Sequence, residues 1–136
     1  MKHAGYSGKP LAQKLGIKPG ARVFVASPPV NYRTLVTPLP GGTTLARQLD
    51  GTIDVVHVFA TRKDALLRFL QRATKKMRAD ATIWVSWPKK AANVSTDICE
   101  ETIRAVALPL GLVDIKVCAV DEVWSGLKLV VRKELR

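Results

Sequence analysis

Four apolar runs, Arg22 to Ala26, Ile53 to Ala60, Ala81 to Trp87 and Asp114 to Val120, have the length and β-branched content of strands, and Leu127 to Val131 makes a fifth. Val55-Val56-His57-Val58-Phe59 is close to continuously apolar, which predicts a strand covered on both faces. Between the second and third runs, Leu66, Phe69, Leu70, Ala73 and Met77 recur at three- and four-residue steps. That spacing predicts an amphipathic helix from Lys63 to about Arg78 with Thr61 as N-cap. Its polar face carries Arg68, Arg72, Lys75 and Lys76, the composition of a solvated helix face that could also track a nucleic-acid backbone. A second helix is expected from Ser95 as N-cap. Asp97, Glu100 and Glu101 would complement the dipole of its first turns, and it would end near Pro109 and Gly111.

Strands alternating with helices predict an α/β fold with a mostly parallel, buried sheet and helices on both faces, a three-layer Rossmann-like arrangement. Only Asp121 to Gly126 separates the last two strands, too short for a crossover, so the sheet is expected to end in an antiparallel hairpin. Residues 27–52, rich in Pro and Gly, read as a short helix around Asn31 to Val36 and a short strand around Thr44 to Gln48. Length fits one domain over residues 1–136, with segment 1–20 packing on it. No apolar run is long enough to cross a membrane, and Met1 to Gly20 lacks a secretory signal's apolar stretch, so a cytoplasmic protein is expected.

Charge changes the picture. Lys and Arg number 22 against 11 acids, and the excess is +6 in residues 1–50, +4 in 51–100 and +1 in 101–136. This balance favours an anionic partner, a phosphorylated ligand or a nucleic acid, through attraction that salt would screen. Cys99 and Cys118 form no CxxC pair and read as reduced structural thiols.

Ile17-Lys18-Pro19-Gly20-Ala21-Arg22-Val23 leading into the first strand, with the antiparallel end, resembles the class I methyltransferase fold. A closer resemblance is to the bacterial domain of unknown function 3052 family. It rests on Gly5-Tyr6-Ser7-Gly8-Lys9-Pro10-Leu11, Leu15-Gly16-Ile17-Lys18-Pro19-Gly20, Trp87-Pro88-Lys89-Lys90, the run Gly111 to Asp121, and Trp124-Ser125-Gly126-Leu127. The resemblance implies the fold and no established activity.

A nucleotide-type cofactor on such a fold needs a glycine-rich turn after the first strand and usually an acid some twenty residues on for the ribose. Here the strand runs into Ser27-Pro28-Pro29, and no acid precedes Asp50, so no cofactor is expected. Gly5-Tyr6-Ser7-Gly8-Lys9 has the wrong glycine spacing for a phosphate loop and no strand before it, and Gly41-Gly42-Thr43-Thr44 reads as a turn that could also nest an anion. His57 reads as a core histidine and His3 as mobile; no metal site or nucleophilic triad is legible.

The candidate site is the carboxyl edge of the sheet, where open α/β folds place ligands. Trp87, Lys89 and Lys90 end one strand and Arg62 follows its neighbour; if the strands are adjacent, three cations and an indole line one rim. Asp121, Trp124 and Ser125, expected in the hairpin turn with Glu122, could meet that rim, and Asp121 with Lys89 could do acid–base work. Trp87-Pro88 is an aromatic-proline bond open to a cis geometry. The reading is a non-catalytic module binding an anionic ligand or nucleic acid at Arg62, Trp87, Lys89, Lys90, Asp121, Trp124 and Ser125. A divergent S-adenosylmethionine-dependent methyltransferase and a protein-interacting scaffold are the alternatives.

Overall fold

A computed structural model of the chain describes residues 8–136, so the expectations for His3 and for Gly5, Tyr6 and Ser7 lie outside the described residues. In chain order the elements are α1 (Leu11–Lys14), β1 (Arg22–Ala26), α2 (Tyr32–Val36), β2 (Thr44–Ala46), β3 (Val55–Phe59), α3 (Lys63–Lys76), β4 (Thr82–Pro88), α4 (Glu100–Ala107), β5 (Leu112–Ala119) and β6 (Trp124–Val131). The strands form one six-stranded sheet in the order β2-β1-β3-β4-β6-β5. The first four are parallel, and β6 runs antiparallel to both β4 and β5. Beyond Val36, Thr37-Pro38 is cis, while Trp87-Pro88 is trans.

Alternation along the strands builds two cores. On one face Val56 and Val58 of β3 and Ile83, Val85 and Trp87 of β4 pack under Leu66, Phe69, Leu70 and Ala73 of α3 and Ile103 and Val106 of α4. On the other, Val55, Phe59 and Trp84 meet Leu11, Ala12 and Leu15 around α1 and Tyr32 and Val36 of α2. Trp84 is fully buried, and its indole N–H donates to the Leu15 carbonyl at 3.0 Å, pinning the segment before β1 to the sheet. β6 makes room for that indole at Gly126: a Cβ there would sit 3.3 Å from the Trp84 ring and 3.2 Å from Val120.

Every residue of β3 is buried, as its apolar run predicts. The cost of placing His57 there is met by hydrogen bonds. Its Nδ1 lies 3.0 Å from the Tyr32 hydroxyl and its Nε2 2.7 Å from the Ser86 hydroxyl, so both ring nitrogens of a neutral imidazole are engaged. Burial lowers its pKa from 6.5 to about 3 and pushes the Tyr32 phenol well above its ordinary value. With no exposed surface, His57 is a core residue, as its sequence setting suggested.

Three local expectations are corrected. The second long helix starts at Glu100 with Cys99 as N-cap, not at Ser95. The reason is tertiary: the Thr96 hydroxyl donates to the Thr61 carbonyl at 2.7 Å, and the Asp97 carboxylate accepts the Lys63 N–H at 2.7 Å, capping α3 instead of its own helix. Consequently α3 has Arg62, not Thr61, at its N-cap, with the capping oxygen supplied from elsewhere in the chain. Finally, Trp124 and Ser125 belong to β6 and not to the turn, because pairing with β4 continues through Trp87↔Ser125 and Pro88↔Trp124. The segment Gly41 to Thr43 is a turn closed by the Thr43 N–H on the Pro40 carbonyl.

Candidate functional site

β1 and β3 are adjacent, but the chain leaves β1 toward β2 on one side and leaves β3 toward β4 on the other. Their carboxyl ends therefore diverge, which is the topological switch point where open α/β sheets form a crevice. A cleft of about 490 Å³ lies there, within the range of small-molecule sites. Its walls are the ends of β1 and β3, the first turns of α3, and Trp124 from β6.

Three guanidinium groups border the cleft. Arg62 lies where β3 turns into α3, and Arg68 and Arg72 are nearly two and nearly three turns further along α3. Each has at most a weak partner: Arg62 is 3.9 Å from Asp97, Arg68 is 3.8 Å from Asp64, and Arg72 rests over the Phe69 ring with 5.4 Å to its centroid. Such exposed pairs are worth about 0–1 kcal/mol and yield readily to a better anion. The aromatic side is the half-buried Trp124, edge to face with Phe59 at 5.0 Å, while Phe59 and Phe69 on α3 are core residues that contribute edges only. Planar forked donors beside an aromatic wall suit a phosphoryl or carboxylate group attached to a ring.

At the β1 end, Ser27 adopts a left-handed backbone (φ 54°) and Pro28 and Pro29 follow. The Pro29 carbonyl accepts the Tyr32 N–H at 3.1 Å, so this corner is closed on itself. At the end of β2 stands Arg47, and the next acid, Asp50, holds the Thr52 N–H at 2.8 Å. The Thr52 hydrogen bonds keep the Asp50 carboxyl below the ordinary carboxylate range.

β3 and β4 are adjacent, yet the seven expected site residues do not share one pocket. Arg62 and Trp124 line the switch-point cleft. Trp87, Lys89, Lys90 and Ser125 line a second cleft of about 650 Å³ at the same end of the sheet, shared with Cys99 and the loop before α4. Trp87 contributes an edge only, being 8% exposed and part of the core. Asp121 lines neither cleft: its carboxylate accepts the Val123 and Trp124 N–H groups at 2.8 and 2.7 Å and shapes the β5–β6 turn. Cys99 and Cys118 are free thiols; the hydrogen bond to Thr102 lowers the Cys99 pKa, and burial raises that of Cys118. Among the described residues no group of three His, Cys, Asp or Glu is placed to hold a metal ion, and no helix is long and apolar enough to cross a membrane.

From sequence, Arg68 and Arg72 are legible only as part of a helix face that could track a nucleic-acid backbone, and Phe69 only as core; that all three line the same cleft as Arg62 and Trp124 follows from the strand order, which no local signal gives.

The fold is similar to that of several solved methyltransferases. A protein assigned as a type 11 methyltransferase from Sulfolobus solfataricus superposes with a TM-score of 0.63 at 11% identity, covering 90% of each chain. A SAM dependent methyltransferase from Aquifex aeolicus gives 0.58 at 14% identity over 89% of this chain and 88% of that one. The ribosomal protein L11 methylase from Lactobacillus delbrueckii subsp. bulgaricus gives 0.58 at 10% identity over 90% and 75%. At these identities the likeness shows the fold alone, a Rossmann-like methyltransferase-type sheet. No curated protein matches the chain. The family model for proteins of unknown function DUF3052 matches residues 12–133, and the chain belongs to that family.

Proposed function

We propose that this chain is a non-catalytic binding module that takes an anionic ligand, a phosphorylated molecule or nucleic acid, at the carboxyl edge of its sheet. The observation that carries this reading is the switch-point cleft, which Arg62, Arg68 and Arg72 line together with the half-buried Trp124, whose ring packs on buried Phe59. Lys89 and Lys90 of the second cleft add positive charge at the same sheet end and would raise the encounter rate with an anion. Among the described residues that line the switch-point cleft there is no carboxylate, His or Cys to serve as a general base.

A divergent S-adenosylmethionine-dependent methyltransferase is the second reading, favoured by the fold likeness over 90% of the chain. The residues do not fit that cofactor. Pro28 and Pro29 offer no N–H where a glycine turn would approach it, and the β2 end presents Arg47 where a ribose hydroxyl wants a carboxylate.

Thermal unfolding with pyrophosphate, ADP and S-adenosylmethionine separates the readings. Pyrophosphate and ADP should stabilise the protein by RT ln(1 + [L]/Kd), about 2.7 kcal/mol at a hundredfold excess over Kd, and the Arg62→Gln/Arg72→Gln double variant should lose the effect. Stabilisation by S-adenosylmethionine alone would overturn the binding-module reading in favour of the enzyme. Stabilisation that survives in that double variant but is lost in Lys89→Glu/Lys90→Glu would move the site to the second cleft.

A further inference from the structure

The basic side chains of the cleft do not stop at its rim. Arg68, Arg72, Lys75 and Lys76 are all exposed and fall within one face of α3, running from the cleft to the far end of the helix, about 12 Å from Arg68 to Lys76. Asp64 is the one acid on that helix. Among the described residues no carboxylate pairs with Arg72, Lys75 or Lys76. From this continuity of cleft and stripe, we infer that α3 is a track for single-stranded nucleic acid, whose phosphates lie along Arg68, Arg72, Lys75 and Lys76 while one unstacked base enters the cleft beside Trp124. The inference rests on the proposed anion-binding cleft and names its ligand class.

Three features select this partner. Side chains four positions apart on a helix are about 6 Å apart along its axis, comparable to the step between phosphates of an extended strand, so one strand can meet successive cations. Trp124, half-buried and backed edge to face by the buried Phe59 ring, supplies the aromatic surface that single-strand binders use for bases and that a groove-reading duplex binder does not need. An acidic protein would need an apolar anchor, and the outward face of α3 carries Asp64, Ala65, Arg68, Gln71, Arg72, Lys75 and Lys76 with no exposed large apolar residue.

The test is fluorescence anisotropy of a labelled oligouridylate of about twelve nucleotides, with ADP binding measured in parallel, on the wild type and on Lys75→Gln/Lys76→Gln. Gln keeps helix propensity, and these two positions lie outside the cleft. The variant should bind the oligonucleotide roughly tenfold more weakly at low salt. Its log K against log salt slope should become shallower by about 1.4, the loss of two single-strand phosphate contacts, while ADP affinity stays unchanged. ADP binding with no oligonucleotide binding, or with oligonucleotide affinity and slope unmoved in the variant, would overturn the track and leave the cleft standing. Failure of both ligands would overturn the cleft as well. Equal affinity for an oligoglutamate of the same length would overturn the nucleic-acid assignment in favour of an acidic protein partner.

Discussion

Lowering the pH should weaken the fold in a window that belongs to one residue. His57 has no exposed surface, accepts and donates within the Tyr32–His57–Ser86 chain, and has its pKa lowered from 6.5 to about 3 by burial. Between those values the unfolded chain binds a proton that the native one refuses, so stability falls as pH falls, at up to about 1.4 kcal/mol per pH unit. Most of that slope is in force below about pH 6, which gives a loss of about 2 kcal/mol between pH 7 and pH 5. The contribution is fully present above 6.5 and exhausted below about 3. Carboxylates with lowered pKa act in a separate range. Asp54, held by Arg22 and Arg78, and Asp114, held by Arg104, lose their contribution only as pH drops through and below the ordinary value of 3.8. The assay is urea unfolding at half-unit pH steps in a His3→Gln background, which leaves one imidazole in the chain. The imidazole resonances should be followed by NMR in the folded protein. A stability curve flat from pH 7 to pH 5, or a native His57 that titrates near 6.5, would refute the reasoning.

Two substitutions probe how the fold holds its strands and its cleft. Gly126→Ala should cost about 1–3 kcal/mol, since the new methyl meets fully buried Trp84 at 3.3 Å and Val120 at 3.2 Å with no space to retreat. A urea midpoint that is unchanged or higher would contradict that packing. Ser27→Val should cost about 1–2 kcal/mol because a β-branched residue is forced into the left-handed backbone at φ 54°, whereas Ser27→Gly should be neutral or stabilising by under about 1 kcal/mol. Because Ser27 is exposed, equal losses in both variants would point to a lost contact and not to backbone conformation.

Much of the fold is legible because its signals are local. The apolar run from Ile53 to Ala60 and the Leu66, Phe69, Leu70, Ala73 stripe specify β3 and α3 without reference to anything distant, and the short link between the last strands, read as six residues and four in the structure, allows only an antiparallel return. Even the Pro- and Gly-rich stretch yields its short helix and strand close to where they lie. The misplacements share another origin. Asp97 looks like an N-terminal acid of its own helix but caps α3, a choice made by contact with Thr61 and Lys63 from another part of the chain. Ser125 and Gly126 have turn composition, yet both lie in β6 because they pair with Trp87 and Ser86 of β4, and the missing side chain of Gly126 leaves room for Trp84. The candidate site was half legible for the same reason. The carboxyl edge follows from strand order, but how its residues divide between two clefts follows from which way side chains on paired strands point. Trp124 leans on Phe59, whereas Trp87 and Ser125 turn toward the loop before α4.

The three tryptophans allow the central claim to be read directly, since each indole N–H reports a different place. Trp84 is buried against Leu15, Trp87 edges the second cleft and Trp124 lines the switch-point cleft. In a titration of the labelled protein with ADP followed by nitrogen–proton correlation spectra, the Trp124 indole should shift saturably, the Trp84 indole should stay fixed, and Arg72→Gln should raise the apparent Kd at least about tenfold. ADP that binds while leaving the Trp124 signal unmoved, or that binds equally well without Arg72, would contradict the assignment of this cleft as the anion site.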